Sequence, residues 1–159
     1  MTETQPLMQG KRGLIMGVAN DRSIAWGIAK TLAAHGAELA FTYQADVLER
    51  RVKPLAESLG STLMLQCDVT DDDSLDKTFS ELEERWNSLD FIVHAIAFSD
   101  KNELTGKYLN TSRSNFSLTM DVSCYSFTAV AQRSAAMMKD GGSMVTLTYY
   151  GAERVMTHY

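Results

Sequence analysis

Short apolar runs alternate with longer amphipathic ones along this chain. "RGLIMGV" (12–18), "ELAFTY" (38–43), "STLMLQCDV" (61–69), "LDFIVHAIAF" (89–98) and "SMVTLTY" (143–149) are near-continuous apolar runs. That is the pattern of strands covered on both faces. Between them, "SIAWGIAKTLAAHG" (23–36) predicts a helix that stops at Gly36 through a left-handed cap. Residues 45–59 predict a second helix, weakened at Pro54. Residues 70–89 open on Thr70 with Asp73 three positions on, a capping-box pattern whose acidic first turn suits the helix dipole. Leu75, Phe79, Leu82 and Trp86 follow there at helical spacing. A loop runs to about residue 112, and a long helix over 113–138 ends at "KDGG".

Strands that alternate with helices form parallel β-α-β units with right-handed crossovers. The fold class is therefore α/β, a Rossmann-like doubly wound parallel sheet. Five strands are visible, where the usual sheet of this kind has roughly six. The chain thus reads as the front part of a single domain over 1–159, cut short after Tyr159. No internal repeat, low-complexity tract or linker interrupts it.

Charge and composition narrow the function classes. Fifteen basic and twenty acidic residues leave a net charge of −5, which argues against a nucleic-acid surface. "MTETQPLMQGKR" lacks the layout of a secretory signal. No apolar run approaches the about 18 residues of a membrane helix; the best, "YSFTAVAQRSAAMM", is broken by Gln132 and Arg133. Cys67 and Cys124 read as buried free thiols, which suits a reducing cytoplasm. His35, His94 and His158 have no metal-ligand spacing, so no metal is expected.

The first strand runs into "GVANDRSIAWG". Gly17 stands at the strand's end, Ser23 at the helix start and Gly27 one turn in. The loop is longer than G-x-G-x-x-G and lacks its middle glycine. The chemistry of a phosphate site is still available. Gly17 permits a sharp turn and close approach, the helix N-terminus offers free N–H groups, and Ser23 can cap the helix and donate a hydroxyl. Gly27 is expected to let the helix pack close to the sheet. The alternative is a plain strand-to-helix turn with a serine cap.

The second strand ends in "TYQAD", with Gln44 where many NAD-binding folds place a carboxylate for the ribose hydroxyls. No Arg or Lys stands at that tip to attract a 2′-phosphate, since Arg50 and Arg51 come later. The pattern favours NAD over NADP. The third strand ends in "CDV", where Asp68 is either an acceptor for an adenine amino group or a residue leading the next helix.

Taken together, "GVANDRSIAWGIA", "FTYQ", "DVTD", "VHAIAF" and "LTYYGAERVMTHY" resemble the NADH-dependent enoyl-acyl-carrier-protein reductases of bacterial fatty-acid synthesis, the FabI type. That family is a divergent branch of the short-chain dehydrogenases. The resemblance implies that Gly17, Ser23 and Ile24 hold the pyrophosphate and ribose side of NADH, that Gln44 faces the adenosine ribose, and that Asp68 and Val69 bracket adenine. Ile96 would lie near the nicotinamide ribose, and Ser99 at the mouth of the substrate site. Ala95 replaces a serine common in the family. Tyr149 and Tyr159, ten apart, match the family's two active-site tyrosines.

The implied reaction is reduction of a trans-2-enoyl thioester on acyl carrier protein by NADH, the last step of the bacterial elongation cycle. It makes the enzyme an oxidoreductase acting on a CH–CH group in lipid metabolism. In the family the second tyrosine opens a helix that carries a catalytic lysine. The chain is therefore expected to be inactive by itself. The resemblance also implies a homotetramer. The helix at 113–138 fits that, because Phe116, Met120, Cys124, Phe127, Ala131 and Ala135 form one stripe while Val122, Tyr125, Ala129 and Met137 lie on other faces. One side would meet the sheet and another a second subunit. Two rival readings are a short-chain carbonyl reductase, with Thr146 in the place of a catalytic serine, and a non-catalytic dinucleotide-binding module.

Overall fold

The computed structural model describes residues 6–155. Among them the expected strands form as β1 (Arg12–Met16), β2 (Glu38–Tyr43), β3 (Leu63–Gln66), β4 (Phe91–His94) and β5 (Ser143–Thr146). All neighbours pair in parallel, in the order β3-β2-β1-β4-β5. Leu14 of β1 lies between Ala40 of β2 and Ile92 of β4. The α/β doubly wound sheet expected from the alternation is thus observed.

Successive residues of a strand point to opposite faces, and that alternation divides the core in two. Leu14, Met16, Ala40, Leu65 and Ile92 pack on one side of the sheet, under α3 (Asp72–Arg85) and α5 (Ser126–Ser134). Ile15, Leu39, Phe41, Phe91 and Val93 pack on the other, under α1 (Ile24–Ala34) and α2 (Asp46–Ser58). Helices on both faces explain why the strands carry apolar residues at almost every position.

Several expectations are corrected in detail. The strands are shorter than the apolar runs at their C-terminal ends. Residues 95–98 leave the ladder after β4 and line a cleft instead. Helix α3 is capped by Asp71, whose carboxylate accepts from the Asp73 amide at 3.0 Å. Thr70 turns away from that helix and donates to Asp68. Trp86 lies past the end of α3 in extended backbone but remains buried. Helix α2 runs through Pro54, which is exposed, so water can reach the carbonyl the proline leaves unpaired. Gly36 does adopt the left-handed cap, with φ of 91°.

The long helix differs most. It is α4 (Arg113–Met120), a π-turn (Asp121–Tyr125) and α5, followed by a tight turn at Ala135–Met137. The backbone stays right-handed through the π-turn, and the Ser126 N–H reaches back to the Asp121 carbonyl. The face toward the sheet carries Asn115, Val122, Ser126, Ala129, Val130, Ser134 and Met137. The apolar stripe of Phe116, Met120 and Cys124 faces outward, so the expectation of a buried Cys124 thiol is overturned. Cys67 is buried as expected. Hydrophobicity alone does not single out that face, because three of its positions are polar: Asn115 and Ser126 bond to other segments, and Ser134 donates to the Ala131 carbonyl of its own helix.

Candidate functional site

A cleft of about 340 Å³ opens at the C-terminal ends of the strands, between β1 and β4. There the chain reverses its direction of travel across the sheet, so the loops after these two strands diverge and leave a crevice. The loop after β1 contributes Gly17, the one after β2 Gln44, the one after β3 Asp68 and Val69, and the one after β4 Ala95 to Phe98. Leu118 of α4 and Val122 of the π-turn close it from above.

Gly17 is required twice over. Its φ is +97°, a region L side chains rarely adopt, and a Cβ there would run into the carbonyl oxygen of Ala95. The β1 and β4 loops therefore touch backbone to backbone. Ser23 stands at the N-cap of α1 but does not cap it with its side chain. Its Oγ accepts from the amides of Ala19 (3.0 Å) and Asn20 (3.1 Å), which ties the loop together and leaves its proton to donate. Asn20 in turn accepts from the Arg22 amide at 2.8 Å. The amides of Ile24 and Ala25, in the first turn of α1, have no intrahelical acceptor. The Ile24 side chain is 66% exposed and does not line the cleft. Gly27 does not serve helix–sheet packing, since a Cβ there would meet open space.

On the opposite side, Gln44 Nε2 donates to Asp68 Oδ2 at 3.0 Å. Asp68 Oδ1 accepts from the amide and the hydroxyl of Thr70, at 3.0 and 2.8 Å. Partial burial works against the charge on Asp68, but the hydrogen bonds from Thr70 and Gln44 outweigh it and hold the carboxyl below its ordinary range. Burial pushes the Cys67 thiol beside it up, which keeps it protonated and unreactive.

Ile96 lines the cleft, as does Val69. Ser99 is turned inward, where its Oγ accepts from Thr119 Oγ1 at 2.9 Å and from Asn115 Nδ2 at 3.2 Å. Tyr149 follows β5 and is half exposed, outside the cleft lining. Tyr159 lies outside the described residues. The structure thus brings Gly17, Gln44, Asp68, Val69 and Ile96 together, while Ser23 does not line the cleft but bonds the amide of Ala19, which does. Leu118 and Val122 were not foreseen, because they come from a helix remote in sequence. Ala19, Tyr43 and Ala97 adjoin expected residues and could have been found from that adjacency alone. Among the described residues, no group of His, Cys, Asp and Glu could hold a metal, and no helix is long and apolar enough to cross a membrane.

A parallel sheet of this order, with a ligand-sized cleft at its switch point and a glycine turn leading into a helix N-terminus, defines a Rossmann-like α/β fold. Within that class the chain belongs to the enoyl-(acyl carrier protein) reductase family, whose sequence profile matches residues 17–159. It is 64% identical over 159 residues to enoyl-[acyl-carrier-protein] reductase [NADH] 1 of Rhizobium meliloti (strain 1021), covering 100% of this chain and 58% of that protein. The crystal structure of FabI from Candidatus Liberibacter asiaticus superposes with a TM-score of 0.94 at 57% identity, covering 96% of this chain and 59% of that one. The reductase of Anaplasma phagocytophilum, solved in complex with NAD, also gives 0.94 at 57% identity, covering 98% and 60%. The chain therefore spans about three fifths of the length of these relatives.

Proposed function

We propose that the chain forms one dinucleotide-binding domain that takes NADH, and that the whole protein reduces a trans-2-enoyl thioester carried on acyl carrier protein. The observation that carries this is the cleft at the β1/β4 switch point, with Gln44 and Asp68 at one end, Gly17 and Ala19 at the other, and Ser23 bonded to the Ala19 amide behind it. The donor set fits the cofactor. Unpaired first-turn amides of α1 and the Ser23 hydroxyl suit a pyrophosphate. The carbonyl oxygen of Gln44, left outward by the bond to Asp68, suits a ribose hydroxyl. Val69, buried in the cleft lining that it shares with Thr70 and Leu48, suits a flat base.

When bound, the cofactor supplies a hydride for the β-carbon of the enoyl group. The chain's own residues orient the reactants and offer a proton-bearing group to the thioester oxygen, where negative charge collects. Tyr159 is the proposed donor, since a phenol with a pKa of about 10 is protonated near neutral pH without a shift. Tyr149 is a second hydroxyl nearby or a wall of the acyl pocket. Ser99 supports the loop at the mouth of that pocket. Its hydroxyl bonds to Asn115 and Thr119 assign it to holding the loop more than to touching substrate.

The outward stripe of Phe116, Met120 and Cys124, joined by the half-exposed Tyr125, suits burial against a second subunit. We assign the whole protein to a homotetramer in the cytoplasm. The decisive experiment is loss of NADH absorbance with an enoyl thioester and full-length protein. Turnover is expected with the enoyl thioester and not with simple ketones. The reverse result would move the protein to the carbonyl reductases, and NADH binding without turnover of either would leave a binding module.

A further inference from the structure

His94, the last residue of β4, is completely buried, and the proposed reaction assigns it nothing. Its ring sits between two hydroxyls. Nε2 is 2.8 Å from Ser126 Oγ and Nδ1 is 3.2 Å from Thr146 Oγ1. Phe127 packs on the ring edge-on, with centroids 5.5 Å apart.

The direction of each bond follows from one proton. Ser126 Oγ also lies 2.7 Å from the Val122 carbonyl, an obligate acceptor, and giving the serine's single hydroxyl proton to that shorter bond sets the rest of the chain. Toward Nε2 the serine can then only accept, and Nε2 must carry the ring hydrogen. The buried ring is neutral, because burial disfavours the imidazolium. Nδ1 is therefore bare, and Thr146 Oγ1 donates to it. The chain of bonds runs in one sense, from Thr146 through the imidazole to Ser126 and the π-turn.

Its members belong to three segments, two of which line the cleft. His94 precedes Ala95 to Phe98, which line it. Ser126 closes the π-turn, in which Val122 lines the cleft and Ser123 Oγ bonds the amide and carbonyl of Phe98, at 3.0 and 3.1 Å. Thr146 is the register partner of His94 on β5 and leads to Tyr149. Val122, Ser123 and Ser126 all face this side from the π-turn and its end, and such single-turn insertions recur at functional sites.

We propose that His94 is a positioning residue: as the Nε2–H tautomer it latches the π-turn of the long helix to the end of β5, and so sets the cleft wall against the segment that carries Tyr149. A corollary is that Thr146, whose proton is committed to Nδ1, presents only lone pairs and cannot donate to a substrate oxygen as the serine of a carbonyl reductase would. The kinetic part of this inference rests on the enoyl reduction proposed above; the tautomer does not.

The test has two arms, both on full-length protein. With the histidine rings labelled with nitrogen-15, His94 Nε2 is expected to show a directly bonded proton and Nδ1 an unprotonated resonance at neutral pH. A proton on Nδ1 instead would overturn the latch. In the second arm, His94→Leu and His94→Gln are assayed with NADH and an enoyl thioester. A misplacement of 1 Å can cost up to ~10²-fold in rate, so we expect kcat of His94→Leu to fall by about ten-fold. The KM for NADH should stay within about two-fold, because the adenosine end is untouched. His94→Gln, whose amide can still donate to Ser126, should recover part of the loss. Full kcat in a His94→Leu protein that binds NADH would overturn the proposal. If that variant does not fold, Ser126→Ala removes one end of the latch and is judged in the same way. A parent protein that binds NADH but reduces no enoyl thioester would defeat the reaction reading alone, and the nitrogen resonances would then decide the latch.

Discussion

The side-chain amide of Gln44 donates across 3.0 Å to the carboxylate of Asp68, joining the tips of β2 and β3 over the cleft. One N–H of the Gln44 amide is held by Asp68, leaving its carbonyl oxygen and second N–H for a ligand. These can meet a ribose hydroxyl without supplying positive charge, and the Asp68 carboxylate repels a phosphate. Full-length protein should therefore bind NADH much more tightly than NADPH. Gln44→Arg should narrow the gap, and Asp68→Asn should narrow it less, by removing the charge while keeping a polar partner. Fluorescence titration of both cofactors checks this. Equal affinities in the parent protein would show that the pair does not discriminate.

Two glycines of the first turn should behave in opposite ways. Gly17→Ala places a methyl group against the Ala95 carbonyl in a left-handed backbone. The conformation alone costs about 1–2 kcal/mol, and the contact adds to it. We expect a clear fall in Tm together with lost dinucleotide binding. Gly27→Ala enters open space in an exposed helix interior, where alanine is favoured by about 1 kcal/mol. Tm should rise or hold. Weaker NADH binding by Gly27→Ala, with Tm raised, would mean that the ligand itself needs that space.

Burial holds His94 below its ordinary imidazole value of 6.5. Between the folded and the unfolded pKa, the unfolded chain binds a proton that the native state refuses, so stability rises with pH across that window. Stability contributed by neutral His94 is present above about 6.5 and is lost as pH falls below it. A separate loss should come lower. Hydrogen bonding from Lys11 and the Arg12 amide holds Asp90 below 3.8, and Asp68 is also held below it, so their contributions vanish as pH drops through that range. Thermal melts from neutral to mildly acid pH should show the first loss in the parent and not in His94→Gln. An identical slope in both proteins would assign the mild-acid effect to other groups.

Tyr159→Phe in the full-length enzyme should lower kcat with little change in KM, because the hydroxyl matters most when charge has built up on the thioester oxygen. Loss of one oxyanion donor can cost ~10²–10³ in rate, and a hydroxyl at Tyr149 could cover part of it, so a drop of roughly ten-fold or more is expected. The double change with Tyr149→Phe should exceed either single change if the two share the oxygen. Full kcat in Tyr159→Phe would leave that residue as an aromatic at the edge of the core.

The sequence by itself determined the local elements and their connectivity. Alternating apolar runs made β1 to β5 legible, and parallel pairing followed because short strands joined through helices have few other ways to pair. Gly17, Gln44, Asp68, Val69 and Ile96 could be placed in one cleft because each stands at the end of a strand, and strand ends meet at the switch point.

What only the tertiary structure decided are the relations that periodicity cannot carry. Leu118 and Val122 reach the cleft because a helix far along the chain crosses above it. The face of that helix toward the sheet includes Asn115 and Ser126, polar yet buried, whose partners lie on other segments, and Ser134, which donates to the Ala131 carbonyl of its own helix. The role of Ser23 as a loop tie rather than a helix cap, the choice of Asp71 over Thr70, and the exposure of Cys124 have the same origin. Hydrophobic patterning records which residues avoid water, but a buried hydroxyl, amide or imidazole is satisfied by a partner in three dimensions. His94 is the clearest case: in sequence it is one polar residue inside an apolar run, and only the fold supplies the two hydroxyls that make its burial possible.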